Sequence, residues 1–272
     1  MTAFAAPVTV EEAVQAIGAG GVAVAGGTDL VVAARGRRRA LPDSLVSLHR
    51  LDELRGIAAT DTELALGALV THGELESSEV VRSRWRALSD ASALVGSPAT
   101  RHVGTVGGNL ANASPAMELG SPLLAHDALV ETTDGRSLPV AELLRGPGET
   151  SLEPGELITR VVVRDPGASA YVRLEYRRAM EIAVVGAAAR LSVDGDGLIE
   201  SVRIALTAVA PTCVRAEAAE EALRGATAEA FRDAAELAVE AAVPISDVRA
   251  SEGYRRAQIA VVVRRALERA LG

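Results

Sequence analysis

The first 55 residues change between helical and strand periodicity. Apolar positions in TVEEAVQAIGAG (9–20) recur at helical spacing, and Thr9 followed by Glu12 is typical of a capping box at a helix start. Two short apolar runs come next, GVAVAGG (21–27) and DSLVSLHRL (43–51), and each predicts a buried strand. The pattern therefore predicts a small unit of the βαβ type.

The middle of the chain reads as an antiparallel sheet with interleaved helices. Two strand-like runs surround the turn ATDTE, WRALSDASALVG (85–96) has helical spacing, and the TDGR turn predicts a hairpin followed by a short helix. GELITRVVVRDP (155–166) is strongly strand-like. Pro166 and Gly167 then mark the predicted boundary between two domains, 1–166 and 167–272.

The last third of the chain has a different pattern of apolar and polar residues. Two long strand-like runs are joined by DGDG, a hairpin signal. Two alanine-rich helices are predicted at about 215–225 and 227–242, the second capped by Thr227, and a final helix begins near Ser251. These elements predict an α+β domain with an antiparallel sheet and helices.

The amino-acid composition limits the kinds of functional site that the chain can form. All 28 basic residues are arginine, so a lysine Schiff base and a phosphate-loop lysine are excluded, and the single Cys213 excludes an intrachain disulfide and a cysteine-ligated cluster.

The net charge of −8 disfavours a nucleic-acid partner, and we interpret the one basic run, RGRRR (35–39), as a solvated loop rather than a recognition patch. No apolar run is long enough for a membrane span, and without a signal-peptide pattern we expect a cytoplasmic protein.

The candidate chemistry lies in two glycine-rich stretches, AGGTDL (25–30) and TVGGNLANASPA (105–116). Each follows an apolar run, and adjacent glycines allow a ligand to approach the main chain closely. Backbone N–H groups in such turns bind phosphate without a side-chain cation, which suits a chain without lysine. The pattern alone leaves two interpretations open: a dinucleotide site built from two loops, or two tight turns in a β-rich protein.

Together the two stretches resemble the FAD-binding signatures of the flavin subunit of the molybdenum hydroxylases, the family of bacterial xanthine dehydrogenase and carbon monoxide dehydrogenase. GELITRVVV, YRRAMEIAVVGAAARL, VRIALTAVAPTCVRA and DVRASEGYRR resemble later family segments in the same order, so the resemblance covers nearly the whole chain. It implies an α+β fold, with a two-part FAD domain of the vanillyl-alcohol-oxidase (PCMH) type at 1–166, divided near residue 55, and a smaller C-terminal domain. The flavin is expected between the two parts.

The resemblance also implies roles for particular residues. The first stretch wraps the FAD pyrophosphate, the second completes the cradle, Glu118 lies near the adenosine, Leu157 or Ile158 touches a ring of the cofactor, and Arg173 lies near the isoalloxazine. The predicted cofactor-binding residues are Val24, Ala25, Gly26, Gly27, Thr28, Asp29, Leu30, Gly104, Thr105, Gly107, Gly108, Asn109, Asn112, Ser114, Glu118, Leu157, Ile158 and Arg173. No residue is predicted to be catalytic or to bind a metal.

Three positions depart from the family pattern. Glu118 and Glu181 stand where relatives have aspartate, and Arg173 stands where relatives often have lysine, an exchange that changes the geometry of the cation. We interpret Glu181 as an orienting carboxylate for Arg177, with a structural salt bridge as the alternative. The histidines have no metal-ligand spacing and are interpreted as surface or packing residues, with His102 singled out because it precedes the second stretch; they are His49, His72, His102 and His126.

The implied function is electron transfer through FAD. One partner chain is expected to carry 2Fe–2S clusters and a larger one the molybdopterin site, in a dimer of heterotrimers, with electrons passing from the clusters to FAD and then to NAD⁺ or another acceptor. Two alternatives stay open at this point: a stand-alone FAD oxidoreductase of the same fold, and a flavin-free scaffold subunit.

Overall fold

The computed structural model describes residues 3–37, 40–164, 166–177 and 179–272. The predictions that involve Arg38, Arg39, Asp165 and Arg178 fall outside these residues. Of the basic run, Arg35 and Arg37 are described, and both are exposed. None of the helices in these ranges combines the length and apolar character needed to cross a membrane.

The strands, in chain order, are β1 Ala3–Ala5, β2 Val22–Val24, β3 Ser44–Ser47, β4 Ile57–Ala59, β5 Glu63–Gly67, β6 Leu129–Thr132, β7 Ser137–Pro139, β8 Leu144–Gly146, β9 Glu149–Thr150, β10 Ile158–Arg164, β11 Ala168–Leu174, β12 Val185–Val193, β13 Ile199–Thr207 and β14 Val214–Arg215. The α-helices are α1 Val10–Gly18, α2 Leu30–Arg35, α3 His72–Ser77, α4 Glu79–Arg84, α5 Arg86–Ala93, α6 Pro98–Arg101, α7 Val106–Asn112, α8 Gly120–Ala125, α9 Val140–Leu143, α10 Glu217–Leu223, α11 Phe231–Leu237 and α12 Glu252–Leu271. Short 3-10 turns cover Asp52–Leu54, Ala228–Ala230 and Ala238–Ala241.

The first part of the chain forms a three-stranded parallel sheet in the order β1-β3-β2. The Thr9 hydroxyl accepts a hydrogen bond from the Glu12 N–H, as the sequence predicts, while the Glu12 carboxylate accepts from Val8 rather than from Thr9. Ala13 and Val46 are buried in the small core between α1 and this sheet. The sheet ends at β2, directly before the first glycine stretch.

The second part is a five-stranded antiparallel sheet in the order β4-β5-β10-β6-β7. Its core includes Leu66, Trp85, Leu88 and Val161 and extends into the helices α3, α4, α5, α7 and α8. Trp85, the sole tryptophan, is fully buried in this core.

The C-terminal part is a four-stranded antiparallel sheet in the order β11-β12-β13-β14, with α12 packed against β11 and β12. Its core is built of small side chains such as Ala187, Ala189 and Val263. The two-part domain followed by a smaller α+β domain confirms the predicted fold class; the boundary at residue 166 stays a prediction.

Two local expectations differ from the structure. The glycines of the second stretch do not form an open loop, because Gly107 and Gly108 lie in the first turn of α7, capped by the Thr105 side chain. Thr227 precedes a 3-10 turn and its side chain makes no capping hydrogen bond. By contrast, Ser251 caps α12 through the N–H of Tyr254, where the final helix was expected to begin.

Candidate functional site

A cleft of about 670 Å³ opens where the two parts of the first domain meet the C-terminal domain. Its walls are the first glycine stretch, α2, the segment from Gly104 through α7 to Glu118, and the β11–β12 connection at Met180–Ile182. Fourteen of the predicted cofactor-binding residues lie on these walls: Val24, Ala25, Gly26, Gly27, Thr28, Asp29, Leu30, Gly104, Thr105, Gly108, Asn109, Asn112, Ser114 and Glu118. The cleft therefore brings together two segments that are about eighty residues apart in the chain.

The first stretch presents its backbone to the cleft. A Cβ on Gly26 would lie 1.8 Å from the carbonyl oxygen of Val103, and Gly27 has a φ of +67°, so both positions require glycine. Within the described residues, the N–H groups of Gly26, Gly27 and Thr28 make no hydrogen bond. Such unpaired donors, side by side at a cleft, form a binding surface for an anion.

The second stretch was expected to present free N–H groups to a ligand, but both of its glycine N–H groups are bonded within the protein. The Gly107 N–H donates to the Ala68 carbonyl at 2.8 Å, and the Gly108 N–H donates to the Thr105 hydroxyl at 3.1 Å. Gly107 does not line the cleft; it faces Ala68 instead, where an added Cβ would lie 2.8 Å from the Cβ of Ala68. Its absent side chain lets α7 pack closely, and the polar side chains of this segment supply its contacts to the cleft.

Two buried polar atoms at the cleft lack a partner among the described residues, Nδ1 of His72 and Oδ1 of Asn109. His72 is the first residue of α3 and is only 2% exposed. Burial, followed by the charge of Arg101, lowers the pKa of His72 to about 4, so the ring is neutral near pH 7. From the sequence, His72 was interpreted as a surface or packing residue and was not assigned to the site; the Thr71–Glu74 capping box is the local signal that places it at the start of a helix.

Glu118 links the cleft to the C-terminal domain. Its two carboxylate oxygens accept from the Tyr171 hydroxyl and from Nη1 of Arg173, and Arg173 is also paired with Glu175. Burial raises the pKa of Glu118 to about 7 against the opposing effects of Arg173 and Tyr171. The Arg173 side chain is 2% exposed and does not line the cleft, so it reaches the cleft only through Glu118.

Comparison with known proteins agrees with this geometry. Residues 1–164 match the model of the FAD binding domain in molybdopterin dehydrogenase, and residues 170–270 match the CO dehydrogenase flavoprotein C-terminal domain. The chain belongs to the FAD-binding subunits of the molybdenum hydroxylases. This membership confirms the predicted family, its oxidoreductase class and FAD as the cofactor.

The similarity extends over whole relatives of this FAD-binding subunit. The chain is 35% identical to the 6-hydroxypseudooxynicotine dehydrogenase complex subunit alpha of Paenarthrobacter nicotinovorans, over 97% of this chain and 92% of the relative. It is 32% identical to the carbon monoxide dehydrogenase medium chain of Hydrogenophaga pseudoflava, over 98% and 96%. A chain of quinoline 2-oxidoreductase from Pseudomonas putida 86 superimposes with a TM-score of 0.93 at 30% identity, covering 100% and 98% of the two chains.

The residues of the FAD-binding subunit fit the cofactor. Free N–H groups and orphaned polar atoms face a cleft whose size is within the range of small-molecule sites, roughly 300–1,000 Å³. No arginine lines the cleft, so within the described residues a diphosphate meets neutral donors rather than cations. Burial raises the pKa of Asp29 above its ordinary value, and the hydrogen bond from the Thr28 side chain opposes this rise.

Two further predicted contacts lie away from the cleft wall. Leu157 packs in the small core with Leu51 and Leu69, and Ile158 belongs to the core of the five-stranded sheet. Both are buried by protein side chains, so a contact of either with a cofactor ring stays a prediction. Neither position is brought to the cleft by the described structure.

The β11–β12 connection adds residues that the sequence analysis did not assign to the site. Met180 and Ile182 line the cleft beside Glu181, although both are largely exposed. Glu181 pairs with Arg177 at 3.1 Å, the pair that the sequence analysis anticipated. Among the described residues, no group of three or more His, Cys, Asp or Glu side chains has the geometry for a metal ion.

Proposed function

We propose that this subunit holds FAD in the cleft and transfers electrons within a molybdenum hydroxylase complex. In this proposal electrons arrive from 2Fe–2S clusters on a small partner chain and leave to NAD⁺ or another acceptor. The observation that carries it is the row of N–H groups at Gly26, Gly27 and Thr28, which line the cleft and have no partner among the described residues, in a chain of this family.

The binding roles follow from position on the walls. The backbone from Val24 to Leu30 holds the diphosphate, and the side chains of Thr105, Asn109, Asn112 and Ser114 provide hydrogen bonds to the cofactor's phosphates and ribose. Gly107 acts from outside the cleft by allowing α7 to pack against Ala68. Arg173 supports the wall through its ion pair with Glu118, and the contacts of Leu157 and Ile158 with a ring of the cofactor stay predictions.

The chemistry belongs to the cofactor. Bound FAD supplies a group that accepts electrons singly and releases them as a pair, and the protein's part is to bind, orient and tune it. The Glu118 carboxyl, held between Tyr171 and Arg173, places a proton-binding group at the wall of the cleft. Met180 and Ile182 cover the opening with apolar surface.

We further propose two partner chains, a large one with the molybdopterin site and a small one with the 2Fe–2S clusters, in a dimer of heterotrimers. Relatives are described as a medium chain and as a subunit of a complex, which supports an assembly of this kind. The named relatives act on different compounds, so we expect the substrate of the complex to be chosen on the large chain.

The test is to purify the chain from its host without stripping partners, then to record the visible spectrum and a denaturing gel. We expect a flavin spectrum with an iron–sulfur contribution and two companion chains, one smaller and one larger. A yellow protein without companions would instead support a stand-alone flavoenzyme. A colourless protein that added FAD does not restore would support a flavin-free scaffold.

A further inference from the structure

His72 lies between the two glycine stretches. Its backbone N–H donates to the Gly104 carbonyl at 3.0 Å, which ties the start of α3 to the second stretch. The Cδ2 edge of its ring faces Gly104: a Cβ built on that glycine would lie 3.2 Å from Cδ2 and 3.6 Å from the Thr28 hydroxyl oxygen. The imidazole edge that carries Nε2 is therefore directed to the place where both stretches meet.

The protonation of the ring follows from its surroundings. Nδ1 is buried without a partner among the described residues, and the ring is neutral near pH 7 because burial and Arg101 lower its pKa. A neutral imidazole has one N–H donor and one acceptor, and an orphaned buried donor is rarer than an orphaned acceptor. We assign the hydrogen to Nε2 on this pattern.

Nearby protein groups do not use this donor. The carboxylate of Glu76 is engaged by Arg101 at 2.6 Å, and that of Glu74 accepts from Thr71 in the capping box. Within the described ranges, Nε2 of His72 makes no hydrogen bond to protein. A buried histidine with a purely structural role would have at least one ring nitrogen paired.

We propose that His72 is a cofactor-binding residue whose Nε2–H donates a hydrogen bond to an oxygen of the FAD diphosphate. The proposal rests on the proposed function, because it needs FAD in the cleft. The contribution differs in kind from that of the glycine backbone: it is a side-chain donor without charge, held in place by the packing of α3 beneath the two stretches.

Amide substitutions test which nitrogen matters. The side-chain N–H₂ of glutamine reaches the position of Nε2, whereas that of asparagine corresponds to Nδ1. Full-length His72→Gln, His72→Asn and His72→Phe are compared with the unchanged chain by fluorescence titration with FAD and by competition with ADP, which shares the diphosphate. His102→Gln, at an exposed histidine off the cleft wall, is the control.

We expect His72→Gln to stay within about threefold of the unchanged chain and His72→Asn and His72→Phe to bind FAD and ADP about tenfold more weakly, the loss typical of one hydrogen bond to a charged group. Equal binding by all variants, equal losses in Gln and Asn, or a loss for FAD without one for ADP would each overturn the proposal.

The melting temperature of each variant without ligand identifies misfolding. If the Phe variant does not fold, the comparison of the Gln and Asn variants decides the test. Failure of the unchanged chain to bind FAD would count against the proposed function instead.

Discussion

At the scale of single residues, two similar glycine pairs have different structural roles. The N–H groups of Gly26 and Gly27, at the cleft, have no partner in the described ranges, whereas those of Gly107 and Gly108 are bonded within the protein. Sequence could locate both pairs, because glycine allows close approach wherever it is needed. Sequence could not show whether a ligand or another segment of the protein lies against each glycine. That depends on which backbone carbonyl the fold places next to the glycine N–H group.

Gly26→Ala tests the role of the first stretch. The added Cβ would meet the Val103 carbonyl oxygen at 1.8 Å, so the stretch must move away from the second one. We expect FAD affinity to fall by about tenfold or more, as a displaced cradle loses its backbone contacts. Gly18→Ala, with open space around the new Cβ, serves as the control, and unchanged flavin content in Gly26→Ala would contradict the assignment.

Glu118 should make stability depend on pH in a recognisable direction. Its pKa in the folded protein is raised to about 7, above the ordinary value of 4.5, so the folded state binds the proton more tightly. Proton binding by Glu118 therefore adds to the free energy of unfolding. This contribution, on the order of 3 kcal/mol, is fully present below the ordinary pKa and is lost as the pH rises through about 7.

Glu118→Gln removes this titration. Urea unfolding at roughly pH 5 and pH 8 should show the unchanged protein losing more stability between the two conditions than the Gln variant, because only the former ionises this buried group. All other titrating groups are shared by the two proteins and cancel in the comparison. Parallel curves would mean that Glu118 is ionised throughout.

At the scale of elements, sequence predicts best where the apolar pattern is long and its ends are marked. The β12–β13 hairpin and α12 were expected from DGDG and from Ser251, and both occur there. Helices α7 and α8 were not expected, because α7 contains two glycines and α8 is only six residues long. Such short helices are stabilised by packing rather than by intrinsic propensity, so their local sequence is a poor guide.

The position of α12 depends on one buried cation. Arg255 is 2% exposed, donates through Nη1 to the carbonyls of Val184 and Ala208, and pairs with Asp247 at 2.8 Å. Arg255→Ala removes all three contacts, among them the buried hydrogen bond to the Val184 carbonyl and the partly buried one to the Ala208 carbonyl. We expect a loss of about 3 kcal/mol in the free energy of unfolding, measured in urea.

The neighbouring Arg256 provides the matched control. In the part of the chain that the structure describes, it pairs with Glu252 alone, on the helix surface, and 40% of its side chain is exposed. Arg256→Ala should change the stability by no more than about 0.5 kcal/mol. Similar losses in the two variants would show that helix propensity, and not the buried contacts, accounts for the effect.

At the scale of the whole molecule, the two domains share a core. Tyr171, Ala188, Ala205 and Cys213 of the C-terminal part are buried in the same apolar cluster as Trp85 and the helices of the first domain. Thr207 donates to Ser121 across the junction at 2.8 Å. The C-terminal sheet thus completes the first domain while its other face packs on α12.

This shared core predicts that the domains do not separate cleanly. Residues 1–166 expressed alone would expose the apolar surfaces of α5 and α8, so we expect them to aggregate in size-exclusion chromatography. Co-expression with 167–272 should restore a soluble complex, and the full chain should melt in one calorimetric transition. A monodisperse 1–166 fragment with its own transition would show that the boundary separates independent units.

The sequence by itself predicted the class of fold and located the two glycine stretches, because hydrophobic periodicity, turn residues and glycine pairs are local signals. The family and the FAD cofactor were implied by the resemblance of several segments to the flavin subunits of the molybdenum hydroxylases. Only the tertiary structure decided that Arg173 pairs with Glu118 instead of lining the cleft, and which N–H groups have no partner among the described residues. It also placed His72 at the cleft with an Nδ1 atom that no described residue contacts by a hydrogen bond. These facts depend on contacts between residues far apart in the chain. Burial and partner geometry, which set hydrogen-bond supply and pKa, exist only once the chain has folded.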